Sequence, residues 1–573
     1  MTRPAPLARA VVAIGLAVCV LIGLALLAAS FIPSETLAGR LLGAAGEART
    51  AGAYTQELAA NLDARLRFAA AVLLVLTLGL VLVRSAFEDL VAACTEDALW
   101  PTGWPSTISL ALIGLTTLLA LGLRAPFLSQ PMRYDEALTF NEFASRPLYY
   151  GLSFYPDPNN HLLNTLLMHL AFVGLGNQPW VLRLPAYVAG ALLAPATYAL
   201  ARVLSGTAGA GWLAATLVAA SSYLVEYSTN ARGYTLQALC FVLTLSLVML
   251  AVRRDSRAAL LLAAVLAALG AYAVPTMLYG AAICVVWLLV ARRRASIDRD
   301  ETNTVTRVQP THMLAAGLAL GLGVALLYLP VAIISGADKL AFNRFVVPLN
   351  ASQLAGDLPR SLLQTFVLWN RDVPLPIAAL LLLGFALGTL MDLRAGRGPV
   401  LGLLAPGVCL GLVVLQRVAP FERVWLFLLP LYLAIASIGL TRLVGVRWRG
   451  RPLGIAAVIG LGAIVGLSTL SSGSILRSTE TGAYPDAEAV ARSLAPRLAP
   501  DDAVLTTLPA SLPELQYYFP RSGLPTSVLV RPAAEAQNLY VLTPPGDAPE
   551  VPGWRASQEI ARFPASTLFE LKR

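Results

Sequence analysis

Asp135 and Glu136 form an acidic pair about a dozen residues beyond a long apolar run, in a chain that is otherwise mostly membrane-compatible. Carboxylates are costly in hydrocarbon, so the pair belongs in water or in a cavity at the bilayer surface. There it can accept a proton or bind a cation. The local sequence is Arg133-Tyr134-Asp135-Glu136-Ala137, followed by Asp157-Pro158-Asn159-Asn160-His161-Leu162. Further on stand Glu226-Tyr227-Ser228-Thr229-Asn230-Ala231-Arg232-Gly233-Tyr234 and Pro420-Phe421-Glu422-Arg423. Asp135 is placed to be the N-cap of a short helix over 137–145, which would hold its carboxylate still.

The elements that must position these groups are membrane helices. Of 573 residues, 57% are hydrophobic and 13% charged, and the mean hydropathy is +0.68. This composition describes an all-α polytopic membrane protein. Apolar runs predict spans near 10–32, 66–84, 106–123, 183–203, 208–225, 233–252, 258–274, 277–291, 313–334, 375–392, 399–416, 424–441 and 453–471, about 13 in all. A further apolar stretch, 161–174, is read as a helix on or dipping into the outer surface. Counting it as a span would put Arg253, Arg254 and Arg292-Arg293-Arg294 outside, against the positive-inside rule. The N-terminal run is longer than the apolar core of a signal peptide, so it reads as an uncleaved span.

The resulting topology has a cytoplasmic N-terminus and an extracytoplasmic C-terminus, and it gathers the polar motifs on the outer face. The cytoplasmic connections hold mostly arginines, with the acidic stretch 88–97 an exception. The net charge of +9 therefore reflects topology and does not call for nucleic acid as a partner. Cys19, Cys94, Cys240, Cys284 and Cys409 show no CxxC spacing and imply neither a disulfide framework nor a cysteine-bound metal.

Beyond about Ser474 the hydropathy collapses. A short amphipathic helix over 486–498 and strands over 502–508 and 538–542 predict a small α/β domain outside the membrane. The expected division is an N-terminal extension with two membrane helices (1–105), a transmembrane unit with outer loop 124–182 (106–473), and a soluble cap (474–573).

The ordered motifs resemble the glycosyltransferase family 39 clan, with the GT-C fold shared by protein O-mannosyltransferases and aminoarabinose transferases. The resemblance rests on the Asp135-Glu136 pair and the His161 stretch after it. It also rests on Trp180-Val181-Leu182-Arg183-Leu184-Pro185-Ala186, which matches the family's Arg-Leu-Pro helix start, and on Tyr227 to Tyr234, which matches its Tyr-Ser…Ala-Arg-x-Tyr loop. Two extra spans precede the acidic pair here, and Asn159-Asn160-His161-Leu162 stands where relatives carry His-Pro-Pro.

The resemblance implies inverting transfer from a polyprenyl-phosphate sugar to an envelope acceptor hydroxyl at a bacterial inner membrane. Asp135 would be the general base, with Glu136 beside it. Arg232, Arg423 and Arg344 would bind the donor phosphate. Tyr134, Asn160, His161 and Tyr234 would line the substrate pocket. No cofactor is required, although an Asp-Glu pair is also compatible with Mg or Mn. The partners implied are the lipid-linked sugar, a lipid, glycan or protein acceptor, and membrane lipids.

Plainer readings stand beside these. Asp135 would be a helix cap only, Glu136 an ion-pair partner of Arg133, His161 an interfacial residue, and Arg423 a snorkelling anchor. His161 and His169 lack a third ligand at zinc spacing. Two other functions compete with the enzyme. A lipid or glycan transporter would show internal repeats and midplane charges, and neither is visible. A non-catalytic assembly factor would keep the fold without the chemistry.

Overall fold

In the computed structural model the described residues are 6–43, 51–97, 107–297, 308–341, 347–396, 400–443, 452–509 and 511–573. They form a helical bundle capped at one end by a small mixed sheet. Among the described residues, eight helices are long and apolar enough to cross a membrane, or nine if the bent pair Ala208–Ala220 and Ser222–Ser228 is one span. Shorter apolar helices, among them Arg257–Ala273, Leu401–Gln416 and Ala456–Ser471, overlap further spans expected from the sequence. Leu162–Leu175 has 14 residues. At 1.5 Å per residue it falls well short of the ~30 Å hydrocarbon core, as a surface or re-entrant helix should.

Two expected spans are not single regular helices: 313–334 runs as Pro310–Leu327, then the short helix Leu329–Val331 and a π turn over Ala332–Gly336. The stretch expected over 208–225 bends by 61° at its break, where Ser221 is extended (φ −62°, ψ 120°). The bend turns Ser222–Ser228 across the bundle end and buries Glu226 there. The sequence reading also places the helix cap wrongly. The site helix is Tyr134–Thr139, with Arg133 as the N-cap residue and Asp135 inside the first turn; it continues as a wider π turn over Phe140–Ala144.

The central helix Pro179–Ser205 packs against Thr107–Arg124, Leu162–Leu175, Ala208–Ala220, Tyr234–Arg253 and Leu429–Leu443. Leu375–Ala395 and Leu429–Leu443 approach most closely at Gly384, Gly388 and Gly439, where an added Cβ would run into the facing backbone. Small residues permit such contact where lipid offers no hydrophobic drive for association.

The N-terminal extension is bound to the bundle by charge as well as packing. Asp97 Oδ2 accepts from the backbone N–H of Arg257 (2.9 Å) and Ala258 (3.2 Å) and from Ser256 Oγ (3.0 Å), at the start of Arg257–Ala273. Asp89 lies 3.7 Å from Arg257 Nη1 and 3.4 Å from His312 Nε2. The acidic stretch 88–97 thus answers positive charge and exposed amides at helix starts.

The cap sheet has the order β1-β2-β4-β3, with β1 (Ala503–Thr506) parallel to β2 (Leu539–Thr543). The other two strands, β3 (Arg555–Arg562) and β4 (Thr567–Lys572), complete the antiparallel part. The expected cap helix and both expected strands are present within a few residues. The helix Ser511–Arg521 and strands β3 and β4 are additional. Val490, Leu494, Leu515, Tyr518 and Leu542 of the cap join Met132, Ala137 and Phe140 of the site segment in one apolar cluster. That shared core positions the site.

Candidate active site

Glu136 is the anchor of the site helix. It is fully buried, and four N–H groups donate to its two oxygens. Arg183 Nε (2.8 Å) and the Ala231 amide (2.6 Å) reach Oε1, while Arg183 Nη2 (2.7 Å) and the Arg133 amide (3.0 Å) reach Oε2. Burial alone would push this carboxyl up, but the Arg183 charge and hydrogen bonds and the Ala231 amide outweigh it and hold it below the usual carboxylate range. Arg183 spends its remaining donors on the carbonyls of Leu128 (2.7 Å), Gln130 (2.7 Å) and Pro131 (2.9 Å). The partner expected for Glu136, Arg133, instead reaches Glu226 Oε1 at 2.8 Å and the Ile475 carbonyl at 2.5 Å. Glu226 is shared with Arg371.

Asp135 is different from its neighbour. Its side chain keeps 16% exposure and lies 3.9 Å from Arg232 Nη2. Its backbone N–H donates to the Thr481 carbonyl at 3.1 Å. The pair Asp135-Glu136 therefore leaves one carboxylate partly exposed and commits the other to the scaffold. Tyr134, beside it, is half-buried.

Arg232 is 2% exposed. Its Nη1 donates to Thr139 Oγ1 (2.9 Å) and the Asn159 carbonyl (2.7 Å), joining the site helix to the loop before His161. Arg423 is half-buried, donates from Nη1 to the Glu480 carbonyl at 3.0 Å, and lies within electrostatic reach of Asp135, Tyr234 and Tyr227. Among the described residues Arg423 makes no ion pair within 4 Å; its guanidinium lies over the Phe421 ring, 4.8 Å from the centroid. Arg344 lies outside the described residues.

His161 is 2% exposed, and its Nδ1 accepts from the Gly233 N–H at 2.8 Å. Burial, then Arg232 and Arg423, push its pKa well below the ordinary value, so the imidazole is neutral. With Nδ1 accepting, the ring proton sits on Nε2, 3.4 Å from Arg232 Nη2. Two N–H donors thus stand side by side. Tyr234 meets the His161 ring edge-on at 4.8 Å between centroids. Asn160 is fully buried and its amide is consumed by the Gly151 (2.8 Å) and Phe154 (2.9 Å) carbonyls, while its Oδ1 accepts from Thr165 Oγ1 (2.7 Å).

The structure brings Asp135, Arg232, His161, Tyr234 and Arg423 together and places Glu136 and Asn160 behind them as supports. Sequence reasoning gave no role to Arg183, Glu226, Arg371 or the segment 480–481. Arg183 did carry a signal, since an arginine inside an apolar helix start calls for a buried partner.

The family model of dolichyl-phosphate-mannose-protein mannosyltransferases matches residues 161–308, roughly a quarter of the chain, starting at His161. No curated protein sequence matches the chain significantly. ArnT from Cupriavidus metallidurans superposes with a TM-score of 0.52 at 14% identity, over 81% of this chain and 98% of that one, both in the apo state and bound to undecaprenyl phosphate. The oligosaccharyltransferase AglB from Archaeoglobus fulgidus, in complex with an inhibitory peptide and a dolichol-phosphate, gives 0.45 at 12% identity over 76% of this chain and 69% of its own. The chain is a polytopic membrane protein of the GT-C glycosyltransferase fold, resembling protein mannosyltransferases and aminoarabinose transferases.

Proposed function

We propose that the chain transfers a monosaccharide from a polyprenyl-phosphate donor to an envelope acceptor hydroxyl on the outer face of a bacterial inner membrane, with inversion. The observation that carries this reading is the contrast within the acidic pair. Asp135 is partly exposed, rigidly mounted and flanked by two arginines, whereas Glu136 is used up in holding it. The fold likeness to ArnT, whose structure contains undecaprenyl phosphate, supports the donor class.

In the proposed step the acceptor oxygen attacks the anomeric carbon as its proton passes to an Asp135 oxygen. The bond from that carbon to the phosphate oxygen breaks, and the electron pair leaves with the polyprenyl phosphate. Arg423 stabilises that growing charge, being permanently cationic and able to meet two phosphate oxygens. Arg232 and the neutral His161 Nε2–H contribute donors at the rear of the same space, and Arg344 is a third phosphate candidate from sequence. Tyr134 and Tyr234 would flank the sugar. With Asp135 as the exposed member of the pair, it would also be the residue to meet a Mg or Mn ion.

Asp135→Asn keeps size and removes the base. Transfer from a polyprenyl-phosphate monosaccharide should fall about 10²–10⁴-fold; a folded variant that keeps near wild-type turnover rejects the assignment. Orientation, with the N-terminus cytoplasmic and the C-terminus outside, is checked by cysteines at Tyr149 and Thr207, which should label from opposite sides.

A further inference from the structure

The chain between the last membrane helix and the cap makes a tight turn over 479–482. The Gly482 N–H donates to the Thr479 carbonyl at 3.1 Å, and Gly482 has φ +74°, in the left-handed region that favours glycine. The two residues at the tip use their carbonyls elsewhere. Glu480 O accepts from Arg423 Nη1 at 3.0 Å. Thr481 O accepts from the Asp135 N–H at 3.1 Å. Thr481 is 3% exposed, and its Oγ1 accepts from Asn230 Nδ2 at 3.0 Å. Consecutive carbonyls of one turn therefore hold the residue bearing the partly exposed carboxylate and Arg423.

Both ends of the turn are themselves anchored. Upstream, the Ile475 carbonyl accepts from Arg133, the residue that caps the site helix. Downstream, Tyr484 Oη donates to Ser566 Oγ at 2.8 Å, and Asp486 Oδ2 accepts from the Ala565 N–H at 2.7 Å, just before β4. The half-buried Glu480 side chain lies in the field of Arg371 and Arg423; burial, then Glu226 and Glu422, hold its carboxyl above the usual range.

We propose that Glu480 and Thr481 are positioning residues for the transfer reaction, the turn acting as a spacer that sets Asp135 against Arg423 and makes cap docking a condition of turnover. This rests on the roles proposed above for Asp135 and Arg423. The physical reason is geometric. An arginine side chain on its own samples many rotamers, and a displacement of ~1 Å between reacting groups can cost on the order of 10²-fold in rate. Fixing one guanidinium nitrogen and one helix amide on adjacent carbonyls removes that freedom without occupying the Asp135 carboxylate.

The test uses the full-length protein in detergent or nanodiscs. Gly482→Ala strains the turn, because alanine is disfavoured at positive φ, whereas Gly482→Asn tolerates it. Gly482→Ala should lower kcat about tenfold while affinity for undecaprenyl phosphate changes by less than about threefold, and amide hydrogen exchange at Asp135 should rise. Gly482→Asn should restore most of the rate and the protection. Wild-type kcat with a protected Asp135 amide in Gly482→Ala overturns the proposal, as does a loss that asparagine does not rescue.

If Gly482→Ala fails to fold, Thr481→Val decides. It removes only the Asn230 tie and should lower kcat about threefold; unchanged kcat and unchanged exchange count against the spacer. Asp135→Asn run alongside separates the two readings. Persistent transfer there sinks the base assignment, while the exchange measurements still judge the turn.

Discussion

Arg183 grips Glu136 through two parallel hydrogen bonds, Nε to Oε1 at 2.8 Å and Nη2 to Oε2 at 2.7 Å, with both side chains fully buried. The pair joins the central membrane helix to the first turn of the site helix. Removing one partner would leave an uncompensated charge in a site closed to water. Glu136→Gln is therefore expected to destabilise the fold by about 3–5 kcal/mol, read as a lower thermal midpoint. Arg183→Lys should not rescue it, because an ammonium cannot reproduce the planar fork. A Glu136→Gln midpoint equal to wild type would contradict the anchoring role of the pair.

His161 should behave as a neutral hydrogen-bonding residue. Its pKa in the folded protein is depressed by burial, Arg232 and Arg423, so below about 6.5 the unfolded chain takes up a proton that the folded one refuses. The stability it supports is therefore present above that pH and lost as pH falls through it. His161→Asn, which keeps an acceptor for the Gly233 N–H, should lose less stability on going from pH 7 to 5 than wild type does. His161→Ala orphans that buried amide, at about 1–3 kcal/mol. Unfolding curves at the two pH values check both.

Arg423 and Arg232 should separate in binding measurements. Arg423→Ala is expected to weaken undecaprenyl phosphate binding about tenfold or more, the scale of a lost charge-assisted hydrogen bond, with little loss of thermal stability. Arg232→Ala should instead lower the thermal midpoint, since its bonds to Thr139 and the Asn159 carbonyl join two segments. Equal lipid affinity in wild type and Arg423→Ala would remove Arg423 from the phosphate site.

Glu514 offers a test of cap docking. It is fully buried on the Ser511–Arg521 helix that packs on the site helix, and among the described residues neither carboxyl oxygen makes a hydrogen bond of normal geometry, the Tyr484 backbone being its nearest polar support. Burial pushes its pKa up to about 9; the Tyr484 backbone offers slight relief, Glu136 raises it further and Arg133 lowers it. The folded state keeps its proton while the unfolded chain ionises near 4.5. Stability is thus greatest below that value and declines as pH rises towards 9. Glu514→Gln should raise the unfolding midpoint, by a margin that grows between pH 5 and 8.5 and amounts to about 3 kcal/mol near neutrality. A pH-independent margin would contradict a buried, protonated Glu514.

Membrane architecture was readable because hydrocarbon imposes length and composition directly on each helix. The runs over 10–32, 375–392 and 424–441 reappear as helices for that reason. The bend at Ser221 was not readable, since nothing in the apolar run before it differs from a straight span. The cap was read in outline only. Its helix Ser511–Arg521 carries Pro513 and Pro520 and a mixed polar surface, and it is stabilised by packing on the site segment.

Asp135, Arg232 and Arg423 could be singled out from their types and neighbours, because isolated charge beside apolar runs is costly and so restricted to few places. Which member of the acidic pair faces outward could not. Adjacent residues in a helix start point in different directions, and only the arrival of Arg183, 47 positions away in sequence, decides that Glu136 is spent inside. The same holds for the tip of the 479–482 turn, whose contacts to Asp135 and Arg423 are made by backbone carbonyls. Every residue has a carbonyl, so composition carries no trace of which ones a distant amide or guanidinium will find. Sequence alone determined that this chain is a membrane bundle with a few isolated charges in motifs beside its apolar runs. The tertiary structure decided which of those charges is held free, because that depends on partners that meet only when the chain is folded.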